Sequence, residues 1–235
     1  MSGVSSRLRP AKVRSALRRR WFERRLGSLP LAPGLPVVSL GTAYGGWMIP
    51  DGVLRDGAVC YCVGAGADIS FDLELIARYG AVVRAIDPVA RYEELALERA
   101  ADEPNFSFRR AALAAVDGPL RMQVHHQTGS ESVSAAGLYD SDSWVAADGL
   151  TLPSLMQEFG DAHIDLLKLD VEGAEYELLP QIDLRGLGVR IFATQLHHVQ
   201  GVRQARQLIE TVEAQGFSLV AERPVVKVTF LRDLK

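Results

Sequence analysis

The stretch DLLKLDVEG, residues 165–173, holds side chains suited to chemistry. Its apolar run is of the kind a strand makes when both faces are covered, yet it carries Lys168 and ends in Asp170. Residues two apart on a strand share a face, so Lys168 and Asp170 should project together, about 6–7 Å apart by strand rise. Asp170 falls at the carboxyl end of that strand, and open α/β sheets bind ligands in the crevice outside that edge. A carboxylate there can take a proton from a reacting hydroxyl. Lys168 has a second reading, as a partly buried amine paired with Asp170 for structural reasons. Glu172 and Glu175 follow at the start of a helix, where acids stabilise the N-terminus by a few tenths to about 1 kcal/mol.

A second apolar strand, residues 189–196, runs to the same edge and ends at His197 and His198. Strand neighbours point to opposite faces, so at most one of the two reaches a given substrate. His197 shares its face with Gln195. His197 or Asp170 is the candidate base; the alternative for either histidine is a half-exposed loop residue. His125, His126, Ser132 and Ser134 fall in a middle region suited to substrate loops. No His/Cys spacing suggests zinc. A magnesium site built on Asp170 and other carboxylates would need only one or two protein ligands.

The third group is AVCYCVGAGADISFD followed by a second apolar segment ending at Asp87 and Pro88. Gly64, Ala65 and Gly66 make a turn between strand and helix, where backbone N–H groups can approach a nucleotide-like ligand. Asp87, 23 residues after Gly64, is placed to accept ribose hydroxyls. A dinucleotide fingerprint needs a third glycine at position 69, which is Ile69. That disfavours a pyrophosphate ligand and suits S-adenosylmethionine. Asp68 either meets the methionine end of such a cofactor or caps the helix. Ala112, at the end of the third strand, completes the cofactor-binding candidates. Tyr44 and Trp47 precede the first strand, as covers for a ring or as core residues.

Alternating strand and helix patterns position these groups, the mark of an α/β fold with a mostly parallel sheet. Strands are expected over 58–63, 81–86, 106–112, 165–170 and 189–196. Helices are expected over 68–79, 91–100, 152–159 and 202–214, and the chain closes on two strands split by Pro224. Residues 120–144 read as one short strand and loops. The chain of 235 residues is 48% hydrophobic and 23% charged, as for one large domain with an appendage. Cys60 and Cys62 are the only cysteines, too few for a disulfide framework and suggestive of a reducing compartment. No apolar run is long enough for a spanning helix, and no leader is expected.

Charge is unevenly spread. Residues 1–27 hold nine Lys/Arg and one acid, Glu23, a net +8, while residues 28–235 carry −11. The arm reads as a helix with Val13, Leu17 and Trp21 at every fourth position and Phe22 and Leu26 beside them. Such a helix suits an anionic membrane surface; packing on its own domain or on a second subunit is the alternative. The acidic body argues against a nucleic-acid enzyme. The proline-rich segment at 30–36 separates an arm, residues 1–36, from a domain, residues 37–235.

The segment DLLKLDVEGAEYELL resembles the hallmark of the FkbM family of S-adenosylmethionine-dependent methyltransferases. TLPSLMQEFG before it, and YGGWMIPDGVL with CYCVGAGADISFD upstream, are similar to that family too, over roughly residues 40–200. The resemblance implies a class I, Rossmann-like doubly wound fold, with a mostly parallel seven-stranded sheet whose last strand is antiparallel. It also implies methylation of hydroxyls on sugars, glycolipids or secondary metabolites. Two positions depart from the pattern: Val63 stands where many members have an acid, and Gln195 where the fifth strand usually carries one. The expected protein is a cytoplasmic O-methyltransferase, with peripheral contact at the inner membrane face through the arm. It would use S-adenosylmethionine at Gly64, Ala65, Gly66, Asp68, Asp87, Pro88 and Ala112, with Asp170, His197 and Lys168 near the transferred methyl. Partners would be a small-molecule or glycan acceptor and a second copy in a homodimer, with no nucleic acid. Rival readings are a membrane-associated scaffold with a degenerate methyltransferase fold and an NAD(P)-dependent oxidoreductase.

Overall fold

The computed structural model describes residues 10–32, 34–127, 130–134, 143–198, 200–223 and 226–233. A helix α1 (Pro10–Leu26) is followed by a hairpin of β1 (Val37–Leu40) and β2 (Trp47–Pro50). The domain then alternates: β3 (Val59–Val63), α2 (Ser70–Tyr79), β4 (Val82–Ile86), α3 (Ala90–Arg99), β5 (Phe106–Arg109) and β6 (Ala112–Leu113). Next come β7 (Gly118–Gln127), β8 (Ser130–Ser134), β9 (Trp144–Leu150), α4 (Leu152–Phe159), β10 (Leu166–Leu169) and α5 (Glu175–Leu178). The chain ends with β11 (Ile191–Gln195), α6 (Val202–Ala214), β12 (Phe217–Arg223) and β13 (Lys227–Arg232).

Seven strands form the central sheet in the order β12-β13-β11-β10-β3-β4-β5. The β11-β10-β3-β4-β5 pairings are parallel, whereas β13 is antiparallel to both β11 and β12. The mostly parallel sheet is what the alternating pattern predicts, and the seven strands with the last antiparallel are the class I methyltransferase arrangement that the family resemblance implies. The central strand β10 is buried at all four residues, as its unbroken apolar run requires. Helix ends follow from local chemistry. Gly80 terminates α2 in a left-handed conformation, its N–H returning to the Ile76 carbonyl. Thr151 caps α4 by accepting from the Ser154 N–H.

Two expectations are corrected. Residues 118–150 are not a short strand with loops. β7 runs ten residues and pairs with β8 and β9 in a four-stranded sheet ordered β6-β9-β7-β8. The signal was the alternation Leu120, Met122, Val124, two of which are buried. The expected single strand over 106–112 is also divided, into β5 of the central sheet and β6 of the second one, which carries Ala112. The arm forms the expected helix. Phe22 and Leu26 are buried in the main core, while Leu17 and Trp21 are 59% and 57% exposed. Positions 22 and 26, one helical turn apart, meet α6, and that contact turns Leu17 and Trp21 outward. Among the described residues no helix is long and apolar enough to cross a membrane.

Candidate active site

The crevice is built at the carboxyl ends of β3, β4, β10 and β11. After β3 the chain turns sharply at Gly64, where φ is +75°. A Cβ there would lie 1.9 Å from the Asp170 carbonyl oxygen, so only glycine lets the turn press against the end of β10. Lys168, 5% exposed, reaches across and donates to the Gly64 carbonyl. Its ammonium lies 5.8 Å from the centre of the Trp47 ring. Lys168 therefore holds the glycine turn, and Asp170, on the same face, has His197 as its described ion-pair partner at 3.8 Å.

Asp87, at the end of β4, is buried and accepts from the N–H groups of Gly66 at 2.9 Å and Val89 at 2.9 Å. Burial pushes its pKa up to about 6 against the pull of those two bonds, and the nearby Asp170 adds to the rise. Each carboxylate oxygen keeps a further acceptor site. At Gly66 a Cβ would meet nothing within 4 Å, so this side of the turn is open for a ligand. Pro88 is half-buried beside Asp87; Ala65 and Ala112 are buried. Ile69, where the dinucleotide pattern would need glycine, is 1% exposed and packs with Ala65, Ala85, Ala96 and Ala100. A side chain has taken the space that a glycine leaves open in dinucleotide sites.

Asp68 caps locally and ties a loop. Its Oδ1 accepts from the Ser70 N–H at 3.0 Å and its Oδ2 from the Thr42 hydroxyl at 2.5 Å. Burial disfavours its charge, but those hydrogen bonds win and hold its pKa below the usual range. The tie fixes the loop between β1 and β2, whose tip presents Tyr44. Burial raises the Tyr44 pKa first, and the charges of Asp170, Glu172 and Asp68 add to it. Tyr44 is largely exposed, while Trp47 is a buried core residue.

The densest chemistry surrounds His197, which is 8% exposed. Its Nδ1 lies 2.9 Å from Glu175 Oε1, which also accepts its backbone N–H at 3.0 Å. Its Nε2 lies 3.4 Å from Glu172 Oε2 and 3.0 Å from Gln195 Nε2. The Tyr176 hydroxyl donates to the His197 carbonyl at 2.6 Å. Burial alone would lower the His197 pKa, but hydrogen bonds to Glu172 and Glu175 and the Glu175 and Asp170 charges carry it well above the usual value. The surrounding carboxylates thus favour the imidazolium over the neutral ring.

Glu172 supports this cluster from an unusual backbone, at φ +49°, with its carbonyl accepting from the buried Ser134 hydroxyl at 2.8 Å. Glu175 is fully buried, with Oε2 accepting from the Gly173 N–H at 2.8 Å. The sequence presents Glu175 only as a helix-start acid; the structure pairs it with His197, at the opening of a four-residue helix that runs into a 3-10 turn at Leu179–Gln181. The side chains of His125, His126 and Ser132 lie outside the described ones. Among the described residues no group of three or more His, Cys, Asp or Glu is arranged to hold a metal ion.

The comparisons with known proteins fit this geometry. The family model for the methyltransferase FkbM domain matches residues 62–219. A methyltransferase FkbM from Methylobacillus flagellatus has a similar fold at 13% identity and a TM-score of 0.53, over 77% of this chain and 45% of that one. This chain therefore spans less than half of that protein. Fibrillarin from Aeropyrum pernix, solved with natively bound S-adenosyl-L-methionine, aligns at 10% identity and a TM-score of 0.45, over 78% of this chain and 68% of that one. A fibrillarin pre-rRNA processing protein from Methanococcus jannaschii aligns at 15% identity and a TM-score of 0.45, over 78% of this chain and 69% of that one. No curated protein matches the sequence. The family match spans well over half of the chain and contains the glycine turn, Asp87, Asp170 and His197, so the chain belongs to the FkbM methyltransferase domain family.

Proposed function

We propose that this protein is an S-adenosylmethionine-dependent O-methyltransferase acting on a hydroxyl of a sugar, glycolipid or secondary metabolite. The observation that carries this reading is the His197 cluster at the same crevice as the glycine turn and Asp87. The residues fit the cofactor. Gly66 leaves room at the turn, Asp87 retains acceptor sites for ribose hydroxyls, and Asp68, just before α2, would meet the methionine end. When bound, the cofactor supplies an electrophilic methyl group.

The chain's own groups would handle the acceptor. Asp170, with its side chain 22% exposed, is the group open to a hydroxyl and takes its proton. The carboxylates around His197 favour its charged form, so it orients Asp170 rather than acting as the base. Glu175 holds the imidazolium in place, as the third member of a relay does. Tyr44 covers the acceptor and helps to exclude water. Lys168 acts one step back, by setting the Gly64 carbonyl and with it the turn.

The test is isothermal titration of the wild type and Asp87→Ala with S-adenosylmethionine and S-adenosylhomocysteine, with NAD and NADP as controls. Labelled methyl transfer to a panel of sugars and glycolipids follows. Micromolar binding of the sulfur cofactors, weakened at least about tenfold in Asp87→Ala and accompanied by alkali-stable methyl ether product, is expected. Binding without turnover on any hydroxyl acceptor would favour the scaffold reading, and binding of NAD instead would sink the cofactor assignment.

A further inference from the structure

We propose that the outer face of α1, with the adjoining rim of α6, is a docking surface for an anionic lipid bilayer. The helix is fastened to the body on one side only. Phe22 and Leu26 are 1% and 3% exposed, within the main core. Arg206 Nη2 reaches the Leu26 carbonyl at 3.5 Å. Beyond the helix, Leu29 N–H donates to Glu222 Oε2 at 3.2 Å and Ala32 N–H to the Leu219 carbonyl at 2.7 Å. These contacts make α1 a fixed part of the surface rather than a free tail.

The opposite side has the chemistry of a bilayer interface. Leu17 and Trp21 are each more than half exposed. Arg18, Arg20, Arg24 and Arg25 are exposed around them. The Arg25 guanidinium lies 5.3 Å from the centre of the Trp21 ring. A groove of about 730 Å³ separates α1 from α6, lined by Trp21, Arg25, Arg203 and Arg206 among others. Water offers Leu17 and Trp21 nothing in exchange for their exposure. The headgroup region of an anionic bilayer accepts tryptophan rings and arginines together.

Charge complementarity selects this occupant and its orientation. Arg18, Arg20, Arg24 and Arg25 are exposed on this helix, while residues 28–235 carry a net −11, so an anionic surface attracts this face and repels the rest of the body. A basic residue near such a surface strengthens binding by about fivefold. The groove reaches Val202, the first residue of α6, which leaves the sheet edge just after His197. Docking here therefore brings the crevice edge toward the lipid headgroups.

The full chain should be sedimented with vesicles of phosphatidylcholine alone and of phosphatidylcholine with phosphatidylglycerol, at low and high salt. It should bind the anionic vesicles, ignore the neutral ones, and dissociate as salt rises. Reversal of Arg18, Arg20 and Arg24 to Glu should weaken binding by about a hundredfold. Leu17→Ser with Trp21→Ser should weaken it by about tenfold. All five side chains are exposed, so melting temperatures should stay at the wild-type value. Failure of folded wild-type protein to bind anionic vesicles would overturn the proposal, as would equal binding by the charge-reversed variant. Single-stranded RNA that competes the protein off vesicles, with Leu17 and Trp21 dispensable, would assign the face to nucleic acid and overturn it too.

Discussion

The sharpest test of the His197 cluster is Glu175→Gln. Glu175 is fully buried and accepts three hydrogen bonds, from His197 Nδ1 at 2.9 Å, His197 N at 3.0 Å and Gly173 N at 2.8 Å. Glutamine has nearly the same shape but only one acceptor oxygen. Its amide nitrogen must face either the Gly173 N–H or the two His197 donors, a donor against a donor. It also removes the charge that His197 was paired with. Breaking a buried pair in this way costs about 3–5 kcal/mol. At roughly 2–4 °C per kcal/mol for a domain of this size, the melting temperature at neutral pH should fall by about 6–20 °C.

The pH dependence separates this cause from a general packing defect. Folding raises the His197 pKa, so unfolding releases its proton at any pH between the unfolded value, about 6.5, and the folded one. The stabilisation from this group is therefore complete below about 6.5 and declines above it by up to about 1.4 kcal/mol per pH unit. It is gone once pH has passed the folded pKa. Glu175→Gln removes much of what raises that pKa, so the gap between wild type and variant should be widest near about pH 6 and narrow in alkaline solution. Urea denaturation from acid to alkaline pH reads this directly. A variant within about 0.5 kcal/mol of wild type at neutral pH, or a gap that does not change with pH, would refute the reasoning.

Three further outcomes are expected. Asp87 titrates at about 6, so S-adenosylmethionine affinity measured by calorimetry should fall as pH drops through that value, and Asp87→Asn should bind at least about tenfold more weakly with no such step. Tyr44 is 79% exposed and its backbone N–H and carbonyl meet Thr42 and Lys227. Tyr44→Ala should therefore leave the melting temperature within about 2 °C while raising the acceptor KM by about tenfold in steady-state assays. Gln195→Glu puts a carboxylate beside His197 Nε2 and should move the imidazole titration, followed by NMR, upward by about one unit or more.

Legibility followed the range of the interactions. Strands β3, β4, β10 and β11 and the glycine turn are written in local apolar runs and in turn chemistry, so the sheet and the edge where Gly64, Asp87, Asp170 and His197 gather were readable from sequence. The family resemblance and the match over residues 62–219 agree on the fold. Glu175 was visible as a residue but not as a partner. Its role depends on the 22-residue separation from His197 closing to 2.9 Å, and no local pattern encodes that approach. Lys168 was read beside Asp170 because strand alternation places them on one face, yet the tight Gly64 turn brought a carbonyl nearer to its ammonium. A stripe at every fourth position marks a helix, but which stripe is buried was decided by α6.

The departure at position 195 acquires a physical meaning in this setting. Family resemblance leads one to expect an acid there, and Gln195 lies 3.0 Å from His197 Nε2 through its amide nitrogen. That orientation matches a neutral imidazole, whose bare Nε2 accepts a hydrogen bond. The raised His197 pKa instead favours the imidazolium, which carries a proton on Nε2. A half-turn of the amide replaces nitrogen by oxygen at the same place and satisfies the imidazolium. A glutamine can therefore serve both protonation states, whereas a carboxylate can only accept and would hold the proton on. Three carboxylates, Asp170, Glu172 and Glu175, already face this imidazole. A fourth would raise the imidazole pKa further, while an amide keeps the ring fixed without adding charge. The residue that looks like a lost catalytic acid is, on these distances, a neutral partner that fits His197 in either protonation state.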